Sequence, residues 1–506
     1  MKLNHGLILI LGLMLSPPAP AETLASAAAA REWRMANEQG VVDQFSALLR
    51  LPNVARDKAD ILANAQHIIT LFQDAGLQAR LLETGQGNPA VYAERLVEGA
   101  TRTVMVYIHY DGQPVNPDDW ASDPWQPVMR DAMVEAGGKE VPMTAPFDPE
   151  WRIFGRSAGD DKAPIIAMVS ALKALDAAGI SQTVNLKLFL DGEEEAGSPG
   201  LRAMLEAHKE TLRADLWLFC DGPMHQSRRQ HLVYGVRGSY GFNVTVFGAD
   251  RPLHSGHYGN WAPNPIVLLT DLIRSMRDSS GRILIKGFHD QVRPLTLEEQ
   301  AAVAASPRVD DQLIADLGIA RPETEDRIEM AILRPGLNLR GIQSGGVNKN
   351  SRNAIQTSAT ASIGLRLVPD QTPEFLRQAV ERHIEEQGFR VIHDEPGDED
   401  RESFQHLARV DWSSSGGYPA YRAAMDDPNA IQLSRVLNEL NGGELIQTPT
   451  MGGSLPIYVI EEVMGAPVLI LPVANHDNNQ HGANENLRLQ NLWDAIETYA
   501  VVLTEM

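Results

Sequence analysis

Four short apolar runs set the strongest limit on what this chain can fold into: Val104–Ile108, Val184–Leu190, Leu216–Phe219 and Val468–Leu471. Each is continuous rather than alternating, the pattern of a strand buried on both faces of a parallel sheet. Amphipathic helical stretches such as Asn64–Ala75 and Pro164–Ala178 lie between them, the second closed by Gly179. Strand alternating with helix predicts a mixed, largely parallel α/β sheet with helices on both faces. The residues after each run carry chemistry. The first leads into His109-Tyr110-Asp111-Gly112, the second into Asp191-Gly192-Glu193-Glu194-Glu195 and the third into Asp221-Gly222, while His476, Asp477 and His481 follow the fourth. Ligands of an open α/β sheet bind beyond the carboxyl ends of its strands. Four strands therefore deliver acids and imidazoles to one edge of one sheet.

The chain has 506 residues, which predicts more than one domain. From 237 to 415 the pattern changes. Strands are expected at Tyr240–Phe247, Leu337–Ile342, Ala359–Leu367 and Arg390–His393, with helices near Asn264–Arg277 and Pro373–Gln387. The order β-α-β-β-α-β predicts an inserted α+β unit of ferredoxin-like type. Ser279–Asp326 reads as an excursion from it with a short helix of its own. The expected organisation is a leader over 1–21, a catalytic domain formed by 22–236 and 416–506, and a lid over 237–415.

Lys2, the apolar run Leu7–Leu15 and Ala19-Pro20-Ala21 have the form of a signal peptide. The run is too short to span ~30 Å of hydrocarbon, and Pro17, Pro18 and Pro20 end it, so no stable membrane anchor is expected. A secreted protein, in a bacterial periplasm, is the compartment this implies. Cys220 is the single cysteine and can form no internal disulfide. The net charge of −22 excludes a nucleic-acid partner, because phosphates would be repelled.

A paired metal centre uses imidazole and carboxylate ligands, with one carboxylate shared by two ions ~3.5–4 Å apart. His109 ends a strand at the crevice, and Asp111 could hold its other ring nitrogen. Equally, the pair reads as a core histidine and a turn aspartate. Asp160-Asp161 stands before a helix, where an aspartate can cap and its neighbour can face a cation. Glu193-Glu194-Glu195 crowds three acids after a strand, an arrangement stable with cations or as a solvated turn. In the functional reading one glutamate binds metal and its neighbour acts as general base.

Together these motifs resemble the M20 family of metallopeptidases, and within it the dipeptidase branch that includes the carnosinases. The resemblance rests on His109-Tyr110-Asp111-Gly112-Gln113-Pro114, Trp120 to Asp123-Pro124-Trp125, Gly155-Arg156 to Asp160-Asp161-Lys162, Glu194-Glu195-Ala196-Gly197-Ser198 and His481-Gly482-Ala483-Asn484-Glu485. It implies a di-zinc exopeptidase fold and two divalent ions, zinc foremost, with manganese or cobalt as competitors. His109 and Asp221 would hold one ion, Glu195 and His481 the other, and Asp160 would bridge. Glu194 would be the general base toward the bridging water, with Asp111 orienting His109. In the lid, His254 would stabilise the oxyanion, often across a homodimer, and Arg366 would grip the substrate carboxylate. Gly453 and Ser454 match a substrate loop.

The implied activity is cleavage of an amide bond beside a free carboxylate, with a small peptide as substrate. Deacylation of N-acyl amino acids is the nearest alternative, and an inactive binding protein is the alternative of another class. His254 could instead be a plain lid-surface residue, and Arg366 could point to solvent. No His-Glu-x-x-His helix is present to support a one-metal protease. Two departures fall where substrate side chains are read. Thr450-Met451 stands where the branch usually has Arg-Glu, and Asn353-Ala354-Ile355-Gln356 lacks the usual proline.

Overall fold

The computed structural model describes residues 24–506; the leader read over 1–21 lies outside them. The larger sheet has eight strands, in the order Gln78–Leu82, Ala90–Arg95, Asn185–Asp191, Thr103–His109, Leu216–Phe219, Val468–Ile470, His231–Val233 and Ile446–Thr448. Its four central strands run parallel, and they are the four apolar runs of the sequence. Tyr107 and Phe219 stack across two of them with ring centroids 3.8 Å apart. Antiparallel pairing at Ala90–Arg95 and between Val468–Ile470 and His231–Val233 makes the sheet mixed.

Helix Ala163–Ala178 is apolar around most of its circumference and is sealed between neighbours, as a helix of that composition must be. Gly179, at φ 67°, takes the left-handed conformation that ends it. Lys162 is wholly buried at its start, and its Nζ donates to the Leu48 and Leu51 carbonyls at 2.9 Å each. Burial pushes this ammonium down to about 7. The 25-residue helix Ala25–Leu49 was not expected from the sequence, since its apolar face is obscured by a run of alanines.

A second sheet has its own core, built from Phe242, Val244, Ile363, Leu365, Val380 and their neighbours. Its strand order is Gly336–Gln343, Ser358–Leu367, Gly238–Phe247, Leu407–Trp412 and Arg390–Ile392. Helices Pro265–Met276 and Pro373–Glu386, capped by Asn264 and Thr372, contribute their apolar faces to that core. The strand expected at Arg390–His393 forms over Arg390–Ile392 as a parallel edge, while an unexpected strand, Leu407–Trp412, takes the place beside Gly238–Phe247. Leu407-Ala408-Arg409-Val410 buries three of its four residues, yet charges interrupt its apolar pattern in sequence. The 279–326 excursion and its flank carry three short helices rather than one, Leu297–Ala305, Asp310–Asp316 and Ile328–Ile332.

His231, 5% exposed, lies 3.1 Å by Nε2 from the Pro223 carbonyl and 3.2 Å by Nδ1 from the Thr448 hydroxyl. Burial, helped by the nearby His225, lowers its pKa to about 4. The unfolded chain takes up this proton near its ordinary value of ~6.5, whereas the folded chain resists until about 4. The contribution to stability is therefore complete above that window and is lost as pH falls through it. Chemical denaturation of chelator-treated protein is expected to show that His231→Gln loses about 2 kcal/mol less than the parent between pH 7 and pH 5. Equal losses would remove His231 from the acid response.

Candidate metal centre

Strand termini bring the ligand candidates together. His109 is the last residue of its strand, Asp221 lies two residues beyond Phe219, and Glu194 and Glu195 form a single 3₁₀ turn after Asp191. Two groups of metal-ligating atoms result, His109–Asp160–Asp221 and Asp160–Glu195–His481, each with its atoms within 4.8 Å of one another. Asp160 belongs to both. His109 Nε2 is 2.8 Å from Asp160 Oδ1 and 4.0 Å from Asp221 Oδ2. His481 Nε2 is 3.3 Å from both Asp160 Oδ2 and Glu195 Oε2. Asp160, Asp221 and His109 are buried, whereas His481 is exposed.

The donor set fits divalent cations. Asp160 Oδ2 and Asp221 Oδ1 are buried without a hydrogen-bond partner among the described residues, a costly state for carboxylate oxygens unless an ion completes them. Burial and the Asp160 charge push Asp221 up to about 6 and Glu195 up to about 7. Burial also raises Asp160, but His109 and His481 outweigh it and hold that carboxyl below its ordinary value. Glu194 is held well above the carboxylate range by burial and by the charges of Asp221 and Glu195. A site with more carboxylates than imidazoles to balance them attracts cations.

Asp111 does more than the sequence indicated. Its carboxylate is 3.4 Å from His109 Nδ1, and it also accepts from the Glu194 and Glu195 amides at 3.0 Å each. His109 Nδ1 is 3.1 Å from the Asp111 backbone carbonyl, so this one residue ties the imidazole to the acidic turn through its carbonyl and its carboxylate. Gln113 donates to Glu195 Oε2 at 2.7 Å. Glu193, the third acid of the turn, faces away and accepts from the Asn88 and Gly200 amides.

The structure adds Glu485, to which the sequence assigned no role. It is fully buried and accepts from Arg156 Nη1 at 2.6 Å. It also accepts from the amides of Ser157, Gly159 and Asp160, each at 3.0 Å. Glu485 thereby ties the turn carrying Asp160 to the loop carrying His481. The sequence signal was its place in the His481–Glu485 motif, but the contacts with residues ~330 positions earlier are visible only in three dimensions.

In the second sheet, Arg366 is exposed and donates from Nη1 to Ser454 Oγ at 2.8 Å, so the substrate-loop and carboxylate candidates meet. Ser454 Oγ donates to the Arg237 carbonyl at 2.7 Å, and Arg237 N donates to the Gly453 carbonyl at 3.2 Å. His254 is exposed, accepts from Gly256 N at 3.0 Å, and lies against His257 with ring centroids 4.5 Å apart. It has no hydrogen bond or ion pair to the cluster among the described residues. Asp477 is paired with Arg152 at 2.7 Å.

Carboxylates and imidazoles gathered around Asp160 at one edge of a mixed α/β sheet form a candidate centre for divalent metal ions. The profile of peptidase family M20/M25/M40 matches residues 105–505, and the chain belongs to that family. It is a metallopeptidase. The chain is 26% identical over 485 residues to the Cys-Gly metallodipeptidase of Schizosaccharomyces pombe, covering 92% of this chain and 95% of that one. It is 28% identical over 436 residues to the human Beta-Ala-His dipeptidase, covering 83% and 77%. Among solved structures it resembles an M20 family metallo-carboxypeptidase from Sulfolobus solfataricus, with TM-score 0.72, 25% identity and coverage of 92% and 98%. The expectation of export to a bacterial periplasm is overturned by the relatives, which are eukaryotic dipeptidases from Schizosaccharomyces pombe and human. Among the described residues no helix is long and apolar enough to cross a membrane.

Metal analysis after dialysis is expected to find about two ions per chain, about one in His481→Ala and close to none in Asp160→Ala. Retention of both ions by Asp160→Ala would exclude a shared ligand. Glu485→Ala is expected to weaken metal affinity ~10–100-fold, as loss of a group orienting the ligands does.

Proposed function

We propose that the chain is a two-zinc dipeptidase that cleaves the amide bond next to a free carboxylate. His109, Asp160 and Asp221 would hold one ion and Asp160, Glu195 and His481 the other. When bound, such a pair polarises the scissile carbonyl and lowers the pKa of water. The observation that carries the reading is the single carboxylate of Asp160 common to both triads, with Glu194 beside them.

Glu194 is the group that moves the proton. Its carboxylate takes one from the attacking water as the new C–O bond forms, and passes it to the amide nitrogen as the C–N bond breaks. The strong proton affinity that its surroundings impose suits an acceptor that must later act as donor. Asp111 keeps this residue in place through the Glu194 amide while it sets the His109 ring. Arg366, held by Ser454 Oγ, presents a guanidinium fork to the substrate's terminal carboxylate, with Gly453 beside it.

His254 would reach the developing oxyanion from the lid, across a homodimer in which each lid serves the other subunit's site. Its exposure and separation from the cluster support a role completed by lid movement or by a second copy. Exposed Tyr258, Trp261, Ile266 and Val267 nearby support an interface there. The chain divides in this reading into a catalytic unit, 22–236 with 416–506, and a lid, 237–415; the separate second core supports that division.

Glu194→Gln is expected to keep both ions while turnover of a dipeptide falls ~10²–10⁴-fold. Full activity would remove Glu194 from the mechanism. A panel of dipeptides set against N-acyl amino acids is expected to show turnover concentrated on the dipeptides, and the reverse result would sink the dipeptidase reading.

A further inference from the structure

The loop Met451-Gly452-Gly453-Ser454 runs from the metal centre to the arginine that faces the substrate's carboxylate. At its first end, a Cβ placed on Gly222, the residue after Asp221, would lie 3.1 Å from Met451 Cε and 3.4 Å from Sδ. The thioether therefore lies over the Asp221–Gly222 turn, where φ at Gly222 is 101°. A side chain at Gly222 would be strained as well as crowded, so glycine leaves this space to Met451. At the other end Ser454 Oγ accepts from Arg366 Nη1. Three residue steps separate Met451 from Ser454, at most ~11 Å of chain.

A substrate with its carboxylate at Arg366 and its scissile carbonyl at the metals must lay its C-terminal residue along this loop. Gly452 and Gly453 offer it no side chains. Ile332, from helix Ile328–Ile332, closes the middle, its Cδ1 3.4 Å from where a Gly452 Cβ would stand. The Thr450 hydroxyl is already engaged by Arg422 Nε at 2.8 Å, and Arg422 is paired with Glu299 at 2.9 Å. The two side chains that stand against this loop at Gly222 and Gly452, Met451 and Ile332, carry no charge. A flexible thioether adapts to varied apolar shapes, whereas a charged side chain here would lose water without gaining a partner.

We infer that Met451 and Ile332 form a specificity wall that selects dipeptides with an apolar C-terminal residue over those ending in an acidic or basic one. This rests on the exopeptidase reading and deepens it. The test compares kcat/KM of the metal-loaded protein for Gly-Leu, Gly-Asp and Gly-Lys. Gly-Leu is expected to lead by at least about tenfold, the range over which an apolar pocket discriminates. Met451→Glu is expected to move the Gly-Leu to Gly-Lys ratio about tenfold or more toward Gly-Lys, and Met451→Leu to keep the parent's order. Ile332→Glu repeats the test if Met451→Glu folds poorly. Thermal shift gives a readout without turnover, with free leucine raising the melting temperature of the parent more than free lysine does. Equal rates on the three substrates would overturn the inference, as would a ratio unmoved by either charged variant. So would discrimination confined to the N-terminal residue, seen with Leu-Gly against Lys-Gly. Cleavage of none of these dipeptides is a separate result, and it would overturn the exopeptidase reading itself.

Discussion

A carboxylate buried without a proton, a hydrogen bond or a cation is among the most costly groups a fold can contain, and Asp160 is placed to be relieved by cations. One of its oxygens has no hydrogen-bond partner among the described residues, and its neighbours include Asp221 and Glu195. The surrounding architecture keeps this carboxylate where two ions could share it. Glu485 gathers the turn before helix Ala163–Ala178, and Asp111 gathers the turn after Asp191. Both use a fully buried carboxylate that accepts from backbone amides, and Glu485 adds the Arg156 guanidinium. Such charge-assisted bonds are short and directional, so they set the positions of the acids that face the ions. Preorganisation of this kind lets a cluster of like charges persist in a folded chain.

The two sheets are joined where recognition would occur. Arg366 comes from the second sheet and Ser454 from the loop beyond Ile446–Thr448, so the carboxylate grip needs both. Arg237, at the crossing between the sheets, is bonded through its backbone to Gly453 and Ser454. The excursion also reaches the first sheet. Glu299 on its helix Leu297–Ala305 meets Arg422, and both side chains are almost fully buried. A buried ion pair adds little net stability against its desolvation, but it fixes register. Here it fixes the excursion beside Thr450, at the start of the substrate loop.

Much of this was legible in the sequence, for identifiable reasons. The four central strands were visible because burial on both faces demands continuous apolar runs, and no competing pattern gives runs so short and so bounded. The second sheet was legible in its long alternating strands, yet Leu407–Trp412 was missed because charged residues on its polar face break the pattern. Helix Ala25–Leu49 escaped because alanine carries little amphipathic signal. Export to a bacterial periplasm was read from a leader whose composition says nothing of the source, and the relatives corrected it.

The candidate ligands show the same division. Sequence alone determined which residue types stand at strand ends, because the hydrophobic pattern fixes where each strand stops and chemistry follows at once. It thus put His109, Glu194, Glu195 and Asp221 at or just past strand ends, and the family resemblance implied Asp160 and His481 beside them. Tertiary structure decided that Glu485 holds the Asp160 turn and that Met451 lies over Gly222, and it brought together the two groups around Asp160 that the resemblance had implied. Those facts depend on contacts between segments up to ~330 residues apart. Local propensity acts over a few residues and carries no information on such distances, so only the packed fold could settle them.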